Sequence, residues 1–341
     1  MKKVIISGAG LVGSFLAVMM RKRGYEVEIF EKRSDMRLDT ADAGRSINLI
    51  ATSRSLNAFK NEGLLEDILK ITVPVTGRMM HSKDGQLTYQ PYGRDESECN
   101  YSISRSLLNK HLMSEAEKAG AKIYFEKSLE SIDAKANIAK FNNQEVAFDL
   151  FFGADGAGSQ TRKELLRLMP EESESTDFIE SDYKELFMPA NSDKSYPIEK
   201  KALHIWPRGH HMFMALPNLD GSFTMTVYLP KKGEDSFDLL KTKEDVMSFF
   251  KKEYGDSVSL MPGFEDEYFE NPQGRLGTVK MSSWNFKGKI ALVGDAAHAI
   301  VPFFGQGMNS GIEDCSVLAE LMAKHGDDFE SLLKKRESEK S

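Results

Sequence analysis

Three glycines near the N-terminus have the spacing that could hold the phosphates of a nucleotide. Gly8, Gly10 and Gly13 stand between an apolar run at residues 4–7, which predicts a buried strand, and a helical pattern at residues 11–23. The first glycine of this pattern permits a tight turn, and the second lets the backbone approach a pyrophosphate. The third lets the helix pack closely on the strand. The pattern therefore predicts a βαβ nucleotide site.

The start of that helix and an acid further along extend the predicted site. Leu11 and Val12 open the helix, whose free N–H groups and positive dipole end would face the phosphates. Glu31 ends a second predicted strand at residues 26–30, roughly 20 residues on, where an acid binds a ribose hydroxyl, and Lys32 follows it. An acid at this point suits FAD or NAD rather than NADP in this cleft. Glycines cluster in many turns, but the strand, the helix and the acid together favour the nucleotide site.

A second glycine motif lies near the C-terminus. Residues 290–293 predict a buried strand that breaks at Gly294 and Asp295. A turn rich in proline and glycine follows, and then a helix predicted at residues 308–324. We therefore expect the two ends of the chain to meet around one cofactor.

A third motif lies in the middle of the chain. A predicted strand at residues 149–154 runs into Asp155, which Ser159 and Arg162 follow. A nicotinamide dehydrogenase would explain the N-terminal glycines, but neither this motif nor the late one. Taken singly, Asp155 could be a turn residue, Ser159 a helix N-cap and Arg162 a surface charge. Three motifs in this order favour a cofactor site.

Further elements must position these motifs. An Asp-Gly turn predicts a hairpin between residues 78–82 and 87–92. Ser104 predicts the N-cap of a helix at residues 105–118. Residues 170–182 are acidic and rich in serine, and we expect a linker between domains there.

Bulk properties exclude several classes of protein. The net charge of -7 and the pI near 5.7 argue against a nucleic-acid-binding protein, which needs a strongly basic face. With only two cysteines, Cys99 and Cys315, no disulfide framework is expected, and a reducing compartment fits. No apolar run of about 18 residues predicts a membrane span. We expect a cytoplasmic protein with no membrane anchor in this chain.

The histidines do not predict a metal site. His204, His210 and His211 lie close together, but their spacing forms no metal motif and the segment has the pattern of a strand. We therefore expect no bound metal. The oligomeric state stays open, a homodimer included.

The order of the three motifs resembles that of the flavin-dependent aromatic hydroxylases. Several stretches are similar to one family among them, the kynurenine 3-monooxygenases: GRSINL at residues 44–49, GRMMH at 77–81, PYG at 91–93, LHIWPR at 203–208, ALPNLDGSF at 215–223 and PFFGQGMN at 302–309. The resemblance implies an α/β fold, with a glutathione-reductase-like, FAD-binding Rossmann domain and an inserted mixed β-sheet substrate domain. It implies a discontinuous FAD-binding domain at residues 1–72, 103–176 and 276–341, and a substrate domain at residues 73–102 and 177–275.

The resemblance also implies which residues contact FAD. Asp295 would hold the ribityl chain, and the helix after the proline turn would aim its N–H groups at the flavin pyrimidine edge, where reduced flavin is negative. The implied FAD contacts are Gly8, Gly10, Leu11, Val12, Gly13, Glu31, Lys32, Arg105, Asp155, Gly294, Asp295, Gly307, Met308 and Asn309.

By the same resemblance, Arg78 would bind the carboxylate of L-kynurenine and Tyr92 would hydrogen-bond to it. A bidentate arginine suits an amino-acid carboxylate. The alternatives are a surface salt bridge for Arg78 and an ordinary half-buried aromatic for Tyr92. Phe303 and Phe304 would line the substrate beside the flavin. The implied catalytic residues are Pro302 and Gln306.

The implied reaction converts L-kynurenine to 3-hydroxykynurenine. NADPH would reduce FAD, and the reduced flavin would capture O2 as a C4a-hydroperoxide that transfers OH to the ring carbon ortho to the aniline nitrogen. Because the cofactor carries the hard step, little acid–base machinery is expected from the protein.

The chain departs from the family pattern at its C-terminus. Family members carry a further helical region that completes the substrate pocket, whereas residues 330–341 here are charged and end the sequence. We therefore expect FAD binding to be retained and hydroxylation to be weak or uncoupled to hydrogen peroxide. A catalytically incompetent flavin scaffold, or a related hydroxylase of another aromatic acid, are the alternatives.

Overall fold

The computed structural model describes residues 1–38, 48–326 and 328–340. Most of the stretch at residues 44–49 that carries part of the resemblance lies outside the described residues. Within the described ranges, no helix combines the length and the apolar character needed to cross a membrane.

The strands are short, with one exception. In chain order they are β1 (Lys3–Ser7), β2 (Glu26–Phe30), β3 (Asn48–Ala51), β4 (Val73–Val75), β5 (Gly77–His81), β6 (Leu87–Pro91), β7 (Asn100–Ser104), β8 (Lys122–Tyr124), β9 (Leu129–Asp133), β10 (Ile138–Phe141), β11 (Gln144–Ala147), β12 (Leu150–Gly153), β13 (Glu174–Met188), β14 (Ala202–Arg208), β15 (His211–Pro217), β16 (Phe223–Pro230), β17 (Gly274–Met281), β18 (Asn285–Phe286) and β19 (Ile290–Leu292).

The helices vary more in length. They are α1 (Leu11–Lys22), α2 (Ser53–Asn61), α3 (Leu65–Leu69), α4 (Arg105–Lys118), α5 (Gln160–Leu168), α6 (Lys243–Glu253), α7 (Gly255–Val258), α8 (Phe264–Glu270), α9 (Asp295–His298), α10 (Gln306–His325) and α11 (Phe329–Lys340), with a 3₁₀ turn at Pro302–Phe304.

A six-stranded sheet brings the three motifs together. Its order is β18-β19-β12-β1-β2-β8, and all neighbours run parallel except β18 and β19. Gly8 follows β1, Asp155 lies just after β12, and Gly294 lies just after β19. Because these three strands are adjacent and parallel, their carboxyl ends share one edge of the sheet, where such folds bind ligands. The expectation that the two ends of the chain meet is confirmed.

One face of this sheet packs against α1, α4 and α10. Phe15, Leu112 and Ile312, one from each helix, are almost fully buried in the same core. The predicted helix start at Ser104 is confirmed, because its side chain accepts a hydrogen bond from Leu107 N of α4. This three-helix layer fixes the position of the nucleotide-facing edge.

A seven-stranded sheet forms the second layer. Its order is β17-β13-β16-β15-β14-β5-β6, in which β5 and β14 are the parallel pair. The back of this sheet packs on α6 and α8 in an aromatic core that includes Trp206, Phe213 and Phe250. On the front, Leu203 and Leu216 of the sheet pack with Ile50 of β3. The α/β architecture predicted from the sequence is confirmed.

The predicted hairpin is confirmed, with β5 and β6 paired antiparallel from Gly77 to Pro91. The domain limits drawn from the sequence stay a prediction. The seven-stranded sheet runs past them at two points, because β13 begins at Glu174 and β17 ends at Met281.

The expectation of a linker at residues 170–182 is wrong. Residues 174–188 form the longest strand, β13, which pairs with both β16 and β17. Its polar first half is held by cross-strand contacts from β17, where Lys280 Nζ lies 3.0 Å from Asp177 and the Arg275 guanidinium lies 3.7 Å from the Phe178 ring centre. The local composition resembles a linker because the partners of this half-strand lie far away in the sequence.

Candidate functional site

The N-terminal turn has a shape that only glycine permits. Gly8 adopts φ 104°, and a Cβ there would lie 2.6 Å from Ala154 O. A Cβ on Gly13 would lie 2.1 Å from Gly8 O. The helix α1 therefore packs directly on the turn, which is the geometry that the glycine spacing predicts.

The beginning of α1 is open to a ligand. Gly10 is its N-cap, and no side chain of the described residues caps this helix. A Cβ on Gly10 would meet no atom of the described chain within 4 Å. Leu11 and Val12 open the helix half-buried, so the N–H groups of the first turn face a space that a phosphate fits.

Glu31 is buried behind this turn and is already engaged. Its carboxylate accepts hydrogen bonds from Ala9 N at 2.8 Å and from Arg33 N and Nε, each at 3.0 Å. Burial raises the pKa of the Glu31 carboxyl, but the hydrogen bonds from Arg33 and Ala9 outweigh it and leave the pKa below its ordinary value. Glu31 therefore stays ionised, while the neighbouring Lys32 is exposed.

The middle motif builds the start of α5. Asp155 accepts hydrogen bonds from Ser159 Oγ at 2.5 Å, from Gln160 N at 2.9 Å and from Thr161 N at 3.0 Å. Ser159 is the N-cap of α5, as one of the alternatives proposed. Asp155 thus shapes the turn with its carboxylate, whatever else lies against it.

Arg162 is buried, so the alternative that it is a surface charge is wrong. It is 5% exposed and donates hydrogen bonds to Ala296 O at 3.0 Å and to Ala157 O at 2.6 Å. Its Nε also donates to Glu174. Arg162 therefore ties the middle motif to the loop that follows Gly294.

The late motif packs against the first helix. Gly294 has φ 59°, and a Cβ there would lie 3.0 Å from Val12 Cγ2, while one on Gly311 of α10 would lie 2.6 Å from the same atom. Asp295 is exposed, and its Oδ1 lies 3.8 Å from the position of a Cβ on Gly307. The side chain of Asp295 thus lies beside the beginning of α10.

The beginning of α10 is the second open helix end. Gly305, in the left-handed conformation, is its N-cap, and among the described residues no side chain caps it. Gln306 and Gly307 are half-buried in the first turn. The N–H groups of this turn and the exposed Asp295 face the same space.

Asn309 has a structural task. Its Nδ2 donates to Ile50 O at 2.8 Å and to Gly305 O at 2.9 Å. Its Oδ1 accepts from Thr52 N at 2.9 Å and from Ser55 Oγ at 2.7 Å. The Asn309 side chain therefore holds α10 against α2 and β3. Only the backbone of Asn309, and the backbone of the buried Met308, remain to contact a cofactor.

Arg78 and Tyr92 come together at the end of the hairpin. The Arg78 guanidinium lies 5.3 Å from the centre of the Tyr92 ring, and Tyr92 N donates to Thr76 O at 2.9 Å. Arg78 is exposed, and no carboxylate of the described residues pairs with it in a surface salt bridge. Burial raises the pKa of Tyr92, although Arg78 lowers it in part, so the phenol keeps its proton.

An apolar wall extends from this pair across the front of the sheet. Tyr92 and Met214 pack against the buried cluster that contains Leu203 and Leu216 of the front face. Further along, the Phe303 ring lies 5.3 Å from the ring of Tyr228 in β16. The backbone of Phe304 and the exposed Pro302 complete the 3₁₀ turn before α10.

Glu185 is an ionisable group on the same front face that sequence reasoning missed. It pairs in register with Thr226 of β16, beside Tyr228. Burial raises the pKa of Glu185 to about 7, although the Arg105 guanidinium opposes the shift. No hydrogen bond from within the described ranges reaches its carboxylate. No local motif marks this residue, since its burial comes from the packing of distant elements.

Another missed residue is Asp314, fully buried in α10. Its Oδ2 accepts a hydrogen bond from Gly294 N at 2.8 Å and one from His298 Nε2 at 2.7 Å. It holds the late motif in place. No local pattern marks this contact, because an acid within a helical pattern usually faces solvent.

The structure places two of the rejected histidines beside an acid. The ring nitrogens of His210 and His211 and a carboxylate oxygen of Asp235 all lie within 4.8 Å of one another. Lys252 Nζ already lies 3.3 Å from Asp235 Oδ1, and Nδ1 of His211 is hydrogen-bonded to the Tyr254 hydroxyl at 2.6 Å. A metal ion at this cluster would lie close to the positive ammonium group of Lys252, and we therefore assign no metal to it.

Comparison with known proteins decides the family. A family described as "FAD binding domain" matches residues 1–341. The kynurenine 3-monooxygenase of Stenotrophomonas maltophilia is 40% identical over 345 residues, covering 99% of this chain and 75% of that protein. The enzyme of the same name from Flavobacterium psychrophilum is 41% identical, with 98% and 76% covered. The chain belongs to the kynurenine 3-monooxygenase family.

Solved structures agree on the fold of this kynurenine 3-monooxygenase family member. The tetrameric form of 2-methyl-3-hydroxypyridine-5-carboxylic acid oxygenase matches with a TM-score of 0.75 and 19% identity, over 99% of this chain and 86% of that one. PqsL, a probable FAD-dependent monooxygenase from Pseudomonas aeruginosa, matches with a TM-score of 0.79 and 18% identity, over 99% and 91%. The fold is that of the FAD-dependent aromatic hydroxylases, and the chain is a flavin monooxygenase.

The residues present fit the FAD that this family binds. The open space at Gly10 and the two uncapped helix ends offer backbone N–H groups to a pyrophosphate and to a flavin edge. Asp295 lies exposed between them. The individual FAD contacts implied by the sequence stay predictions, Arg105 among them.

We predict that Gly10→Ala weakens FAD binding without unfolding the protein. The added methyl group meets no atom of the described chain, but it stands where a pyrophosphate must approach the backbone. The FAD dissociation constant should rise at least about tenfold, equivalent to ~1.4 kcal/mol, with the melting temperature of the apoprotein unchanged. Titration of apoprotein with FAD measures this. Gly255→Ala, also free of contacts to the described chain, is the matched control, and equal FAD affinity in the two variants would contradict the site.

We predict that Glu185→Gln stabilises the apoprotein at alkaline pH. The folded pKa of about 7 lies above the unfolded value of 4.5, so the stability that the proton contributes is fully present below pH 4.5. That stability is lost as pH rises through about 7. The melting temperature of the variant should therefore exceed that of the unaltered protein most at pH values above the folded pKa. A constant difference across the whole pH range would show that Glu185 does not titrate as described.

Proposed function

We propose that this chain hydroxylates L-kynurenine to 3-hydroxykynurenine, using NADPH and O2 as co-substrates and FAD as its bound cofactor. The observation that carries the proposal is the exposed Arg78 guanidinium over the Tyr92 ring, which no carboxylate of the described residues neutralises. An amino-acid substrate supplies that carboxylate. The relatives named kynurenine 3-monooxygenase support this choice of amino acid.

Arg78 would grip the substrate carboxylate through two parallel N–H groups. The strands β5 and β6 approach each other closely at Gly77, the residue before Arg78, where no side chain would fit. This close approach positions the Arg78 guanidinium. A Cβ on Gly77 would lie 2.5 Å from Gln90 O. Tyr92 keeps its proton and can donate a hydrogen bond to the same carboxylate. The two groups together fix one end of the substrate.

The apolar wall would hold the aromatic ring and exclude water. Leu203, Leu216 and Met214 extend from Tyr92 along the sheet, toward the contact between Tyr228 and Phe303. A dry wall protects a reactive oxygen species from solvent. We propose that Phe303 lines the ring of the substrate, while the side chain of Phe304, predicted for the same role, lies outside the described part of the chain.

FAD, when bound, would accept a hydride from NADPH and activate O2 for transfer to the ring. The chain would contribute the N–H groups at the start of α10, which stabilise negative charge on a flavin edge. We propose that Gln306 and Pro302, at either side of the 3₁₀ turn, line the position of oxygen transfer. In this arrangement the substrate lies between the two sheets, that is, between the proposed FAD-binding and substrate domains.

The test is oxidation of NADPH by the purified FAD-loaded protein, with and without L-kynurenine, while 3-hydroxykynurenine and hydrogen peroxide are measured together. We expect L-kynurenine to accelerate oxidation and to be hydroxylated, with weak coupling that leaves part of the oxygen as hydrogen peroxide. Accelerated oxidation that yields peroxide alone would mean that the substrate binds but hydroxylation is uncoupled. If L-kynurenine neither accelerates oxidation nor is hydroxylated, the proposed substrate is wrong.

We predict that Arg78→Lys raises KM for L-kynurenine more than it lowers kcat. The lysine keeps the charge but loses one of the two parallel hydrogen bonds, and a hydrogen bond to a charged group contributes about 1.5–3 kcal/mol, which corresponds to about 10- to 100-fold. Steady-state kinetics measure the split. Arg94→Lys, at an exposed position beyond the same hairpin, is the matched control. A KM equal to that of the control would show that Arg78 does not bind the substrate.

A further inference from the structure

A chain of hydrogen bonds joins the strand that carries Arg78 to the helix layer behind the sheet. The strand β5 contains Arg78 and ends at His81, whose ring is almost fully buried. His81 Nδ1 lies 2.7 Å from Asp256 Oδ2 in α7, and His81 Nε2 lies 2.8 Å from His204 Nδ1 in β14. His204 Nε2 lies 2.7 Å from the backbone oxygen of Glu199. Two imidazole rings thus stand in line between a carboxylate and a carbonyl.

Both ends of this line can only accept a hydrogen bond. A backbone carbonyl has no proton to give, and an ionised carboxylate has none either. Three hydrogen bonds in series therefore need three protons on the four ring nitrogens, whereas two neutral imidazoles carry two. The pair of His81 and His204 must hold one additional proton, and with it one positive charge.

The surroundings decide which ring carries that charge. Burial lowers the pKa of His204 to about 4, so this ring is neutral. Burial raises the pKa of Asp256, but hydrogen bonds from His81 and from Trp206 outweigh it and leave this pKa below its ordinary value. The carboxylate is therefore ionised, and the charge belongs on His81 beside it.

Other contacts hold the ring in this line. The His81 ring stacks on Trp206 with centroids 3.9 Å apart, and Trp206 Nε1 donates to Asp256 Oδ1 at 2.8 Å. Arg208 Nη1 donates to His81 O at 2.9 Å, and its charge is met by Glu253, which also pairs with Lys83 at 2.7 Å. The charged groups near His81 are thus Asp256, Arg208, Glu253 and Lys83, and of these only Asp256 is hydrogen-bonded to its ring.

We propose that His81, held as an imidazolium between Asp256 and His204, is a positioning residue that fixes β5 and thereby the Arg78 guanidinium. The proposal rests on the proposed function, since it assigns the purpose of the anchor to the substrate carboxylate. The strand needs an anchor because its outer neighbour β6 is exposed along its whole length. Loss of the third proton would leave two lone pairs facing each other at one of these short contacts, and the line of hydrogen bonds from α7 through β5 to β14 would be interrupted.

The protonation state can be measured on the unaltered FAD-loaded protein. Nitrogen NMR of histidine-labelled protein near neutral pH should show both ring nitrogens of His81 protonated, and His204 as a neutral ring protonated at Nε2. Spectra of His81→Gln and His204→Gln assign the signals. A neutral His81 would overturn the inference, and this measurement needs neither substrate nor turnover.

The positioning role can be measured by kinetics. His81→Gln should raise KM for L-kynurenine by about tenfold, because a displaced Arg78 guanidinium would lose one charge-assisted hydrogen bond to the substrate carboxylate, with kcat and FAD affinity nearly unchanged. His210→Gln, at an exposed histidine in the turn between β14 and β15, is the matched control. A KM equal to that of the control would overturn the positioning role.

The two failures can be told apart. If the unaltered protein does not hydroxylate L-kynurenine, the proposed function fails, and with it the purpose assigned to the anchor, even where NMR shows the imidazolium. If the unaltered protein hydroxylates L-kynurenine and His81 is neutral, the proposed function stands and the anchor is wrong.

Discussion

The structure depends on how closely the first helix approaches the backbone around it. Gly8 and Gly13 allow α1 to pack directly on its own turn, and Gly294 and Gly311 allow Val12 to pack on the late motif. A side chain at Gly294 or Gly311 would push Val12 away and separate the two ends of the chain. The same packing leaves the first N–H groups of α1 and α10 directed into one space. The proposed cofactor site of this chain therefore rests on the absence of side chains as much as on their chemistry.

The second sheet gives this space its chemical character. Its back is an aromatic core, and its front, in the described part of the chain, presents aliphatic side chains, the exposed Arg78 guanidinium and the titrating Glu185 carboxyl. Arg78 lies on β5, near one edge of the sheet, and Glu185 lies on β13, near the other edge. The strands between them run from β14, which carries Leu203, to β16, which carries Tyr228. A substrate with a carboxylate at one end and an aromatic ring at the other matches that order. The buried line from His81 to Asp256 holds the edge that carries the cation.

Local patterns were sufficient for the elements whose causes are local. The glycine turn, the cap at Ser104 and the hairpin that carries Arg78 follow from neighbouring residues, and the structure confirms them. Polar strand β13 was mistaken for a linker because its partners in β16 and β17 lie far along the chain. Glu185, Asp314 and the hydrogen-bonded pair of His81 and His204 were missed for the same reason. Their burial and their hydrogen bonds arise only when distant elements pack, and no spacing in the sequence records that.

We propose that both ends of the chain form one site in which one oxygen atom of O2 is transferred to L-kynurenine and the other leaves as water. The most direct test is a single incubation of the FAD-loaded protein with NADPH, L-kynurenine and isotopically labelled O2, followed by mass spectrometry of the products. We expect 3-hydroxykynurenine that carries one labelled oxygen atom. Labelled oxygen found only in peroxide, with L-kynurenine unchanged, would contradict it.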